Sequence, residues 1–174
     1  MGSPGQSLPH DDRNLVLRFV CFFSRFEFAL KASGFLKGDE RGAEADWDML
    51  SNSLTGTLIS ADGQSLQAAV NALLAKPPKK QVVREGRLAW TEPALGSGES
   101  NEAYVLRLVR QVRNNLFHGG KYPYPDGPLQ GTERNKELLR AGLEVLGACL
   151  RVSPELGRAF AGDPETEVPR PEAT

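Results

Sequence analysis

Apolar residues in this chain mostly recur three and four positions apart, the spacing that lines one face of an α-helix. Over residues 12–35 the stripe is Leu15, Phe19, Phe22, Phe23, Phe26 and Leu30. Asp11 and Asp12 suit the start of a helix, where carboxylates oppose the dipole, and Gly34 and Gly38 suit its end. Val16, Leu17, Val20, Cys21 and Phe28 carry the apolar surface around most of the circumference. Such a helix is expected at the centre of a bundle or against a second subunit. A weaker helix is expected over 43–58, with Trp47, Leu50 and Leu54. After a turn at Ala61-Asp62-Gly63, a short helix over 65–75 carries Leu66, Val70, Leu73 and Leu74 and is stopped by Pro77 and Pro78.

Residues 79–99 are poorly patterned and read as a long loop with at most a short extended piece. A helix is expected over 101–118. The GGKYPYPDGPLQG that follows is too rich in proline and glycine for helix. Thr132 can cap a long helix reaching Val152, with Leu138, Leu139, Leu143, Leu146 and Leu150 as its stripe. Ser153-Pro154 reads as the cap and first position of a short terminal helix. The sum is an all-α bundle of four to five main helices, one domain over 12–161. A disordered leader, 1–11, precedes it, and a polar, proline-rich disordered tail, 162–174, follows.

Composition narrows the function classes. The chain has 174 residues, 40% hydrophobic and 25% charged, as in an ordinary globular domain. Its formal net charge of -1 leaves no bulk polycation, so any electrostatic site must be local. Cys21 and Cys149 lie inside helical patterns and offer neither metal spacing nor a disulfide framework; they read as reduced core residues. No metal or cofactor is expected. No apolar run reaches the roughly 18 residues of a membrane span, and the N-terminus lacks the pattern of a signal peptide. The expected location is cytoplasmic.

The 101–118 helix carries the candidate chemistry. Val105, Leu108, Val109, Val112 and Leu116 form an apolar stripe, and Arg107, Arg110, Gln111, Asn114 and His118 a polar one. Arg113 falls at the border, about 140° around from His118, and only its long side chain can return to the histidine. Between Tyr104 and Lys121 stand Arg107, Arg110, Arg113 and Lys121 with no carboxylate. Gly119 and Gly120 end the helix beside His118, the only histidine in the body of the chain.

A histidine can take or give a proton near neutrality, and an arginine can hold two phosphate oxygens. Together they suffice for cleavage of RNA by its own 2′-hydroxyl, leaving a 2′,3′-cyclic phosphate, with Asn114 orienting the imidazole or the substrate. A symmetric dimer would supply the second histidine that acid–base catalysis wants. The plainer reading stays open: basic residues favour a helix C-terminus, Gly119 caps it, and the basic stripe is a solvated face. Lys121, Tyr122 and Tyr124 either touch the substrate or pack a loop. Trp47 and Trp90 read as core or loop anchors, and the GSGES run lacks the context of a phosphate loop.

Arg113-Asn114-Asn115-Leu116-Phe117-His118, followed by Gly119, resembles the signature of the HEPN superfamily (higher eukaryotes and prokaryotes nucleotide-binding domain) over about ten residues. The resemblance implies a helical bundle, usually dimeric, with the motifs of both subunits lining one cleft. It also implies a metal-independent endoribonuclease of a toxin–antitoxin or other defence system, answering to an antitoxin or inhibitor protein. On that basis Arg113, His118 and Asn114 would be catalytic. Arg107, Arg110, Asn115 and Lys121 would bind the RNA. Glu27, on the flank of the first helix beside Val16 and Val20, is the candidate for an added polar residue; alternatively it pairs with Lys31. Some family members have lost catalysis and serve as nucleotide- or protein-binding modules.

Overall fold

The structure is a computed structural model that describes residues 10–61, 63–117 and 133–162. Its elements run α1 (His10–Ala32), β1 (Leu36–Asp39), β2 (Gly42–Ala45), α2 (Trp47–Ser53), α3 (Gln64–Ala75), β3 (Lys80–Arg84), β4 (Arg87–Thr91), α4 (Asn101–Phe117), α5 (Glu133–Val152) and α6 (Pro154–Ala161). The strands form two antiparallel hairpins, β1–β2 and β3–β4. The all-α expectation is therefore wrong: the chain is a helical body with two small sheets.

Each hairpin has a local cause. Helix α1 closes through Gly34, at φ +89°, with Phe35 N–H donating to the Leu30 carbonyl at 2.9 Å, the geometry of a glycine-terminated helix. The chain then pairs Leu36 with Ala45 and Asp39 with Gly42. Asp39 accepts from the Arg41 backbone at 2.9 Å and from its guanidinium at 2.6 Å, tightening the turn. Strand β2, Gly42–Ala45, thus takes residues 43–45 away from the helix expected over 43–58. What remains helical there is α2, capped by Asp46, whose carboxylate accepts from the Asp48 and Met49 amides.

Residues 80–91, expected as loop, form the second hairpin. Glu85 and Gly86 both have positive φ, 50° and 73°, as the favoured two-residue hairpin turn requires. The expected helices over 65–75 and 101–118 and the last two helices appear as α3, α4, α5 and α6. Helix α1 starts at His10, so His10 belongs to the helix rather than to a leader. Residues 1–9, Thr132 and 163–174 lie outside the described residues.

Helix α5 is the hub, packing on α1, α3, α4 and α6. Phe19, Phe26, Leu30, Leu73, Val105, Leu108, Val109 and Leu146 are buried around it. Among the described residues no helix is long and apolar enough to cross a membrane.

Candidate functional site

Helix α4 is more deeply embedded than a two-faced helix. Leu106, near the Arg113 border, is as buried as Val105 and Leu108, because α2 covers that side. Glu102 is buried too and accepts from the Gly56 amide at 2.9 Å, tying the start of α4 to the turn after α2. What stays open runs along Arg113, Arg110, Asn114 and Arg107.

The first part of this strip lies on aromatic rings. Trp47 is stacked against Phe23 and Phe26, with ring centroids 5.4 and 5.5 Å apart. The Arg110 guanidinium sits 5.6 Å above the Trp47 ring. The Arg113 guanidinium lies 5.7 Å from the Phe23 centroid and 5.0 Å from that of Phe117. It also donates to Asn114 Oδ1 at 3.1 Å. Arg113 is half-buried, and among the described residues no carboxylate forms an ion pair with it. The guanidinium thus lies against two aromatic rings, with Asn114 as a hydrogen-bond partner.

Glu27 joins this neighbourhood. Trp47 Nε1 donates to Glu27 Oε1 at 3.3 Å, and among the described residues no ion pair links Glu27 with Lys31. Glu27 and Arg110 therefore share Trp47, which is buried as expected and also supports a cation.

The second part borders a groove of about 220 Å³ lined by Lys80, Pro93, Arg107, Arg110 and Asn114, among others. Arg107 is already committed. It donates to both Glu99 oxygens, at 2.8 and 2.7 Å, and to the Ala94 carbonyl at 2.8 Å, which clamps the loop before α4. The hydrogen bonds from Arg107 hold the Glu99 carboxyl below its ordinary value, against the opposing effect of burial. The Glu99 of the GSGES run also accepts from the Gly96 amide, and Ser100 Oγ accepts from the Ala103 amide as a cap on α4. The stretch is a clamp and a helix cap.

Asn115 departs from its neighbour. It is 8% exposed, accepts from Gln111 Nε2 at 2.8 Å and donates to the Lys79 carbonyl at 2.9 Å. The second asparagine of the motif thus holds the root of the β3–β4 hairpin, while Asn114 faces the groove. His118, Gly119, Gly120, Lys121, Tyr122 and Tyr124 lie outside the described residues. Sequence reasoning missed Lys80, the phenylalanine shelf under Arg113 and the neutralisation of Arg107. Lys80 belongs to a stretch with no helical period, and Glu99 precedes α4 in the chain and reaches Arg107 only through the fold of the loop. The chain was compared with protein-family models, with curated proteins and with solved structures, and none of them matches it.

Proposed function

We propose that this chain is a metal-independent endoribonuclease of the HEPN type that acts on RNA as a homodimer and leaves 2′,3′-cyclic phosphate ends. The observation that supports it most is the Arg113 guanidinium: half-buried, backed by Phe23 and Phe117, bonded to Asn114 and without an ion-pair carboxylate among the described residues, five positions before His118. A cation so placed is best satisfied by an incoming anion.

In the proposed reaction a neutral His118 imidazole takes the proton of a ribose 2′-hydroxyl. The 2′-oxygen bonds to the adjacent phosphorus, the bond from phosphorus to the 5′-oxygen of the next nucleotide breaks, and an imidazolium gives that oxygen a proton. Arg113 donates to the non-bridging oxygens as their charge rises. Asn114 orients Arg113, and Arg110 and Lys121 hold neighbouring phosphates. Arg107 and Asn115 act by position, through the loop and hairpin that they anchor, and Glu27 steadies Trp47 beneath Arg110.

One imidazole cannot be base and acid in the same step, so the proposal takes the second from a second copy. Leu17 and Phe28 are 62% and 50% exposed on one face of α1, with Cys21, exposed rather than in the core as expected, between them, which supports that face as the contact. A nuclease of this kind fits a cytoplasmic toxin or defence effector held in check by an antitoxin or inhibitor protein.

The test is incubation with mixed RNA in excess EDTA, beside Arg113→Ala and His118→Ala variants. Cleavage by the parent alone, with cyclic phosphate ends, is the expected result. Equal cleavage by all three would mean a contaminant and end the catalytic assignment. No cleavage by any would favour a catalytically inactive HEPN-like module that binds nucleotide or protein.

A further inference from the structure

No side chain of the β3–β4 hairpin is used in the reaction just described. In its register Lys80 faces Thr91, Val82 faces Ala89 and Arg84 faces Arg87. Alternation along a strand puts these side chains on one face. That face carries three cations and no carboxylate. Lys80, Arg84 and Arg87 are exposed, and among the described residues none of them has a carboxylate within the 4.0 Å of an ion pair. Lys79, just outside the strand, does have one, Glu92 at 3.6 Å. The opposite face carries Gln81, Val83, Leu88 and Trp90. Charges that only keep a sheet edge from aggregating need no such sorting by face.

The cationic face also leads somewhere. Lys80 lines the groove that Arg110 and Asn114 line from α4. From Lys80 the free cations continue to Arg84 and Arg87 beside the turn. Four strand steps span about 13 Å, more than one phosphate can bridge, so an anion that uses both ends must carry several spaced charges, as a nucleic-acid backbone does. The groove, about 220 Å³, has room for a few groups of one strand.

We propose that this face of the hairpin is a track for single-stranded RNA, holding backbone phosphates at Lys80 and at Arg84 and Arg87 while the strand enters the α4 groove. The chemistry at the end of the track rests on the nuclease reading; the binding itself does not.

The test uses the full chain carrying His118→Ala and a labelled single-stranded RNA of about 12 nucleotides, followed by fluorescence anisotropy across a salt series. Adding Arg84→Glu with Arg87→Glu is expected to weaken binding by about tenfold or more. Neutral Arg84→Ser with Arg87→Ser should lower the salt slope by roughly 1.4, two phosphate contacts at about 0.7 each. Arg84→Lys with Arg87→Lys should retain most of the affinity, and Arg140→Glu, at an exposed position of α5, should change little. Circular dichroism checks folding, and if the reversal pair unfolds, the serine pair decides. The track is overturned if the reversal or serine variants bind as tightly as the His118→Ala protein, if that protein binds no RNA, or if the hairpin governs binding of an oligoglutamate probe and not of RNA. Cleavage by the unmodified protein is scored separately. Hairpin-dependent binding without cleavage sinks the nuclease and keeps the track; cleavage with hairpin-independent binding does the reverse.

Discussion

Asn115 donates its amide to the carbonyl of Lys79, 2.9 Å away, and so fastens the root of the β3–β4 hairpin to the helix that carries the candidate site. Gln111 holds the other end of the Asn115 side chain at 2.8 Å. Replacing Asn115 with leucine strands the Lys79 carbonyl and the Gln111 amide. The expected loss is about 1–3 kcal/mol in urea unfolding, with faster hydrogen exchange in β3. Asn114→Ala, at a half-buried position, should cost less. An unchanged midpoint for Asn115→Leu would remove the clamp from the argument.

Arg113→Lys separates charge from shape. Lysine keeps the cation but loses the planar guanidinium that lies against Phe23 and Phe117, and with it the forked donor edge. On the proposed mechanism kcat/KM falls about 10²–10³-fold, the scale of losing a donor to a developing oxyanion. Stability should fall by no more than about 1 kcal/mol. Parental cleavage rates in this variant would mean that Arg113 does not touch the phosphate.

The Arg107–Glu99 pair makes stability depend on pH. The folded carboxyl lies below its ordinary value of 4.5, chiefly because Arg107 donates to it. Its contribution is therefore full above that value and is lost as pH falls through the lowered folded one. The gap in unfolding midpoint between the parent and Glu99→Gln should be constant near neutrality and narrow in acid. A gap that stays the same from neutrality to acid would show that the charge of Glu99 contributes nothing.

If α1 is the contact between copies, Leu17→Glu with Phe28→Glu yields a monomer by light scattering and abolishes cleavage while circular dichroism is kept. Cys21 reports on the same surface. Its alkylation should be slow in the dimer and fast in the double variant. Cys149 stays unmodified in both, since burial pushes its thiol up to about 12. A parent that is monomeric at working concentration and still cleaves would end the shared-site mechanism.

Gly142 on α5 lies directly against Phe19 of α1. A methyl group there would meet Phe19 Cε2 at 2.7 Å, and Phe19 is fully buried, so its ring would have to shift within the core. Alanine is the better helix former by about 1 kcal/mol, yet Gly142→Ala should destabilise, because overpacking costs about 1–3 kcal/mol. Thermal unfolding decides the sign, and a stabilised variant would show that the helices can part without cost.

The helices with regular apolar spacing were legible, since their period is written in consecutive residues. The helix expected over 65–75 starts one residue earlier, at Gln64, and α4 and α5 nearly coincide with their stripes. The first hairpin was not legible. Residues 43–45 have no local reason to leave a helix; they do so because β1 lies beside them, with Gly38 where any Cβ would run into the Gly42 carbonyl. The second hairpin did leave a signal, a Glu-Gly pair between two runs containing valine, leucine and tryptophan, which the surrounding charges obscured.

By itself the sequence determined the helical body, because burial of a repeating stripe depends only on spacing. It also determined the order Arg113, Asn114, His118 and the local excess of cations on α4. Which of those cations remain free was decided by tertiary structure alone. Ion pairs and ring contacts depend on distances between residues far apart in the chain: Glu99 reaches back to neutralise Arg107, Phe23 and Trp47 from other elements support Arg113 and Arg110, and Asn115 leaves the site to hold a hairpin.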